Sequence, residues 1–126
     1  MAVPLFMLVF LGFAEGGYFV VATTIASHAT QEGARLGVLA TTSLSALKGR
    51  VADAAQPIVD VDATDVTVCI NGTAACGSSD YAGREAGDRL YVHTAYTHHP
   101  LVSAIFPGLT WEADASAELW VEAEAP

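Results

Sequence analysis

Among the first thirty residues of this 126-residue chain, a single side chain, Glu15, is ionised. So apolar a run has no stable place in water as a lone helix. It has to be covered by a bilayer, by copies of itself, or by each at a different stage. About 20 helical residues cross the roughly 30 Å hydrocarbon core of a bilayer, so the length suffices for a span. Residues 1–26 are the part expected in lipid. The run lacks the basic n-region of an ordinary secretory signal, and no charged boundary separates it from the next helical stretch. The expectation is therefore a chain whose start lies after a processing event.

Charge is distributed very unevenly. The net charge is −9. Residues 32–50 carry Glu32 against Arg35, Lys48 and Arg50, whereas residues 51–126 carry twelve acids against Arg84 and Arg89. An acidic surface repels phosphate backbones, so nucleic acid is excluded as a partner. It suits a solvated face outside the cell. The length accommodates one small domain, and the mean hydropathy of +0.41 is high for a freely soluble one.

Helical spacing continues to about residue 41. Pro4 is tolerated in the first turn. Gly12, Gly16, Gly17, Gly33 and Gly37 each cost an isolated helix roughly 1 kcal/mol relative to Ala. Two pairs, Gly12 with Gly16 and Gly33 with Gly37, have the GxxxG spacing that lets helices approach closely, and Ala22, Ala26 and Ala29 extend the small-residue character. These positions predict a close-packed helix core between copies of the chain. Residues 41–43, Thr-Thr-Ser, interrupt the pattern and can cap a second helix, in which Leu44, Leu47, Val51, Ala54 and Ala55 form the apolar stripe. It should end near Gln56, because the residue before Pro57 disfavours helix.

From about residue 64 the period becomes two. Val66, Val68 and Ile70 alternate with Thr67 and Cys69; Leu90, Val92, Thr94 and Tyr96 alternate with Tyr91, His93 and Ala95. In the last stretch, odd positions from Leu109 to Val121 are apolar and even positions are mostly polar or acidic, which describes a half-buried strand. Trp120 breaks that rule, as an edge residue or as a contact for another subunit. Residues 77–87 and 98–108 read as loops. The fold class is α+β: a long N-terminal apolar helix, a short second helix, and a C-terminal antiparallel sheet of about three strands. The chain divides into a transmembrane or filament-core helix, 1–41, and an extracellular globular domain, 42–126.

Residues for catalysis are absent from this pattern. His93, His98 and His99 could approach one another, but they match no ligand spacing and read as polar loop and strand residues, so no metal is expected. There is no nucleophile elbow and no phosphate loop, and the strand carboxylates Glu112, Asp114 and Glu118 read as a solvated face. The chain is not expected to be an enzyme or to need a cofactor. Cys69 and Cys76 flank a segment with an Asn-Gly turn signal, so a disulfide clamping a hairpin is expected if the compartment is oxidising; two free thiols is the other reading. In the chain-entropy account an eight-residue closure stabilises by roughly 2.5 kcal/mol. Asn71-Gly72-Thr73 is a glycosylation acceptor pattern that a tight turn explains equally well. Glu15 is the outstanding residue. A carboxylate inside an apolar helix costs several kcal/mol unless it is paired or protonated. It could reach water at the membrane interface. It could instead find an N-terminal amine or Arg35 on a neighbouring copy, since about 30 Å of helix separates it from its own Arg35.

Three segments carry a family likeness. Val3-Pro4-Leu5-Phe6-Met7-Leu8, then Gly12-Phe13-Ala14-Glu15, then Ala29-Thr30-Gln31-Glu32-Gly33-Ala34-Arg35 resemble the start of TadE-like proteins, pilin-like components of tight-adherence pilus systems. Residues 91–122 are similar as well, with an aromatic-rich strand, a loop near 101–107 and a final strand of Ala and Ser ending in Glu. Family precursors begin with a basic leader and an acidic residue ahead of the apolar run. The sequence starts without that segment, and Glu15 is not its equivalent, so the expectation is either that processing differs here or that the true start lies upstream. The resemblance implies a pilin-like fold and a secreted, membrane-staged structural subunit of a cell-surface adhesion filament. Its partners would be copies of itself and the pilus assembly machinery. Gly12, Glu15, Gly16, Ala22, Ala26, Gly33, Arg35 and Gly37 would face the polymer core. The alternative is a monomeric membrane-anchored ectodomain that binds a partner through its outer loops.

Overall fold

A computed structural model describes residues 2–39, 41–72 and 81–123. The first helix, α1, runs over Ala2–Gly37 and the second, α2, over Leu44–Ala55. Strands β1 (Val66–Ile70), β2 (Arg89–His98) and β3 (Trp111–Trp120) form one antiparallel sheet with β2 in the centre. Single 3₁₀ turns at Ala63–Asp65, Tyr81–Gly83 and Leu101–Ala104 lead into or connect the strands. The α+β architecture and all three strands agree with the sequence reading.

α1 ends four residues before the expected boundary, at Gly37, because its exposed carbonyls are taken up locally. The last carbonyls of a helix lack intrahelical donors. Here the Tyr81 hydroxyl donates to the carbonyls of Gly37 and Thr42, at 3.4 and 3.1 Å. Arg84 Nη2 donates to those of Leu39 and Thr42, at 2.7 and 2.9 Å. The guanidinium also lies 3.9 Å from the centre of the Tyr81 ring, a cation–π contact. Burial pushes the Tyr81 hydroxyl above its ordinary pKa, with Arg84 opposing the shift. Part of the expected 77–87 loop is thus a clamp on the turn between the helices. Ser43 then starts α2 as its N-cap, accepting from the Ala46 N–H at 3.2 Å. The helix stops at Ala55, and Gln56 is extended before a cis Gln56–Pro57 bond.

α2 buries Leu47, Val51 and Ala55, spaced four apart, against α1. Full burial of residues such as Leu47 and Val51 contributes about 1.5–3 kcal/mol each. A Cβ on Gly33 would collide with Val51 Cγ2, and one on Gly37 would collide with Leu47 Cδ1 and meet Leu90 Cδ2 at 2.8 Å. The second GxxxG pair therefore serves packing within the chain. An exposed ion pair, Arg50 with Glu32 at 3.0 Å, spans the same two helices.

The inner face of the sheet is built in cross-strand rows. Val68, Val92 and Ala117 form one; Val66, Thr94 and Ala115 the next; Ile70, Leu90 and Leu119 a third. Small residues on β3 let α1, with its own Ala22, Ala26 and Ala29 buried, lie close over β2 and β3. At this contact the Thr30 hydroxyl donates to the Ala26 carbonyl at 2.7 Å and shares a buried hydrogen bond of 2.9 Å with the Thr94 hydroxyl. Tyr96 is buried in the same layer, and desolvation raises the pKa of its hydroxyl. The even positions of β3 are exposed, including Trp120 at 65 %, as the alternation requires. On this outer face Arg89 pairs with Glu118 at 2.9 Å and His93 with Asp114 at 3.2 Å.

α1 therefore belongs to two environments. Residues 2–14 are exposed throughout, whereas Glu15 and the stripe from Ala22 to Gly37 are buried by the rest of the chain. The expected division at residue 41 lies just beyond the end of α1 at Gly37. The globular body itself includes the C-terminal half of α1.

Candidate functional site

Direction of travel fixes where this site lies. β2 runs antiparallel to α1: Leu90 lies at Gly37, Thr94 touches Thr30, and His98 reaches the level of Tyr18 and Phe19. The connection from β2 to β3 consequently turns beside the point where α1 leaves the globular body. Glu15 occupies that point and is 5 % exposed. Its Oε1 accepts the Leu101 backbone N–H at 2.6 Å, at the start of the Leu101–Ala104 turn, and its Oε2 lies 3.3 Å from His98 Nε2. A carboxylate otherwise costly in apolar surroundings is thereby given two partners.

An aromatic cluster surrounds the pair. The His98 ring lies 5.2 Å from Tyr18, 6.2 Å from Phe19 and 5.9 Å from Trp111, and Trp111 meets Phe19 edge-on at 5.1 Å. These separations suit tilted and edge-to-face ring packing. Tyr18 also donates to the Ile58 carbonyl at 2.8 Å, tying the chain after α2 to the same region. A groove of about 470 Å³ lined by Leu11, Ala14, Tyr18, His99 and Leu101 runs beside Glu15 and His98. Below it, residues 2–14 project an unbroken apolar surface that includes Phe6, Phe10 and Phe13.

This geometry corrects several sequence expectations. Glu15 does not need an N-terminal amine or Arg35 from a neighbour, because the β2–β3 connection supplies its partners from within the chain. Ala22, Ala26, Gly33 and Gly37 are buried against the chain's own sheet and second helix, so they are unavailable to face another copy. The physical reason is that small residues permit close approach to any surface, and here the nearest surface belongs to the same molecule. Gly12 and Gly16, by contrast, are open: a Cβ added at either would meet nothing within 4 Å. Arg35 is exposed in the last turn of α1, where a cation favours the helix C-terminus.

The histidines do not converge. His93 pairs with Asp114 and stacks on Tyr91, while His98 turns to Glu15. Among the described residues no three His, Cys, Asp or Glu side chains gather as metal ligands would. Cys69 is buried on β1, and its expected partner Cys76 lies outside the described residues, as does Thr73 of the acceptor pattern. Asn71 adopts a positive φ of 52°, as an Asn-Gly turn requires. Its Nδ2 donates to Asp88 Oδ1 at 2.6 Å, and its Oδ1 accepts the Arg89 N–H at 2.8 Å. The Glu85 N–H and Asn71 hold the Asp88 carboxyl below its ordinary pKa.

α1 is long and apolar enough to cross a membrane. No curated protein and no solved structure matches the chain. Residues 1–35 do match the family model described as TadE-like protein, and it is to this pilus-associated family that the membrane-length helix of the chain is similar.

Proposed function

We propose that this chain is a structural subunit of an extracellular pilus-like filament, held in the cytoplasmic membrane by α1 before assembly and polymerised through the same helix afterwards. The observation that carries the reading is the division of α1 at Glu15. One half is a core element of the globular body; the other, residues 2–14, is an exposed apolar rod within the segment that matches the TadE-like model. Such a rod needs lipid or another protein around it. Open, head-to-tail contacts between copies generate helical polymers, and the accessible Gly12 and Gly16 offer a surface for close helix approach. Copies of the chain and the pilus assembly machinery are then its partners, cell adhesion is its setting, and no catalytic step is assigned to it. The acidic outer face of the sheet would form part of the filament surface.

A second reading, a monomeric membrane-anchored ectodomain, draws support from Glu15, whose pairing is complete without a second copy. Electron microscopy of material sheared from the cell surface, with the chain identified by mass spectrometry, separates the two. Thin filaments built mainly of this chain are expected, and Gly12→Leu should abolish them while the sheet domain still folds. Retention of the chain in the membrane fraction, with none in filaments, would overturn the subunit reading in favour of the anchored one.

A further inference from the structure

We infer that the β2–β3 connection is a lipid-binding foot, by which the globular body rests on the membrane surface before assembly. The inference rests on the membrane-staged part of the reading above. The connection carries apolar side chains that the fold leaves in the open: Leu101 is 77 % exposed and Phe106 58 %, with Ile105 also exposed. A folded domain ordinarily has no reason to display such a cluster at one tip.

Position identifies the occupant. Leu101 is anchored to Glu15 through its backbone N–H, so the tip stands directly beside the end of the exposed apolar stretch of α1. Leu101 lines the same groove as Leu11 and Ala14, so lipid that covers the stretch as far as Ala14 arrives at Leu101 as well. The segment itself, residues 89–111, contains no Asp or Glu, so the connection carries no carboxylate of its own into the headgroups; Glu112, opposite Thr97, and Asp60, Asp65 and Asp114 lie on the neighbouring surface. Tyr18 and Trp111, ringed about His98, have the amphipathic character favoured at headgroup level. Glu15 fits the same arrangement, because the foot covers the carboxylate from the side on which lipid would otherwise meet it.

Depth-dependent fluorescence quenching in vesicles tests this. The full chain is reconstituted in phosphatidylcholine containing one quarter phosphatidylglycerol, with bromines on the acyl chains. Three single-tryptophan forms are compared. One carries Phe106→Trp with both native tryptophans replaced by Phe. One carries Phe10→Trp in the same background. The third retains only Trp120, at the opposite pole of the sheet beside Arg89. The Phe106→Trp emission should shift to the blue and be quenched several-fold more than that of Trp120. If Phe10→Trp is quenched and Phe106→Trp behaves like Trp120, the foot is overturned while the membrane-staged helix stands. If neither is quenched, both fall. Hydrogen exchange on the unmodified chain gives an independent readout: amides of residues 102–109 should exchange more slowly on these vesicles than in detergent micelles, which present no continuous headgroup surface, and equal rates would count against the foot.

Discussion

Removing the Glu15 carboxylate tests the junction on which the fold and the proposed function both depend. In Glu15→Ala the Leu101 N–H loses an acceptor at 2.6 Å and His98 Nε2 loses a neighbour at 3.3 Å. Hydrogen bonds to charged groups contribute about 1.5–3 kcal/mol. The β2–β3 connection is exposed enough for water to reach a released N–H, which places the loss at the lower end. A few tenths of a kcal/mol return through the better helix propensity of Ala. The net expectation is a loss of about 1–2 kcal/mol. For a domain of roughly 100 residues each kcal/mol moves the midpoint by about 4–8 °C. Glu15→Gln keeps an oxygen for Leu101 and should lose less than half as much. The assay is thermal unfolding in detergent micelles followed by tryptophan emission, with amide exchange at Leu101 measured alongside. An unchanged midpoint and unchanged exchange at Leu101 in Glu15→Ala would refute the claim that this carboxylate holds the connection against the helix.

Other expectations are local. Gly33→Ala places a methyl against Val51 Cγ2, and overpacking of about 1–3 kcal/mol should exceed the roughly 1 kcal/mol gained by removing a helical Gly; adding Val51→Ala should recover most of the loss, and a double-mutant cycle in denaturant would show no coupling if the contact is unimportant. Asp88 has a folded pKa below its unfolded value, so its contribution is present above the ordinary carboxylate range and disappears as pH falls through the lowered native value. Asp88→Asn should therefore flatten the acid side of the stability–pH curve, and an unaltered acid limb would contradict the assignment. The bridge proposed between Cys69 and Cys76 predicts an unreduced chain lighter by two hydrogens in mass spectrometry and a loss of roughly 2.5 kcal/mol on reduction; a full-mass chain isolated under thiol-blocking conditions would count against it.

Much of the fold was legible because its signals are local. Ser43 sits where a cap is needed, Pro57 ends α2, and period two over residues 66–70, 90–96 and 109–121 gives both the strands and their inward faces. What escaped was the choice of partner for each small residue. Gly33 and Gly37 show GxxxG spacing whether they meet α2 or another copy, and spacing carries no information about which. The Tyr81–Arg84 clamp was hidden in a polar stretch because its targets are backbone carbonyls, which have no sequence signature. The site at Glu15 left one usable clue. If β2 starts opposite Gly37 and runs back along α1, eight strand residues cover about 26 Å. The same distance is about 18 helical residues. That places His98 near Phe19, within a turn of Glu15, and the ring contacts of His98 with Tyr18 and Phe19 agree.

The burial of α1 also limits how any filament could be built. A helix apolar all round is normally covered all round. Here the sheet and α2 cover one side from Ala22 onward, so neighbouring copies would have to use residues 2–14 and what remains open above them: Gly16, Gly17, Tyr18, Val20 and Val21. Contacts between copies would then concentrate in roughly the first half of the helix, as far as Val21, and leave the junction at Glu15 intact. Bulky substitutions divide accordingly. At Gly12 or Gly16, where a Cβ meets nothing, they leave the monomer folded and act on assembly alone. At Ala22 or Ala26, buried in the chain's own core, they damage the monomer first. A filament defect caused by Ala22→Leu would therefore say nothing about helix packing between subunits, whereas the same defect from Gly12→Leu would be a direct measure of it.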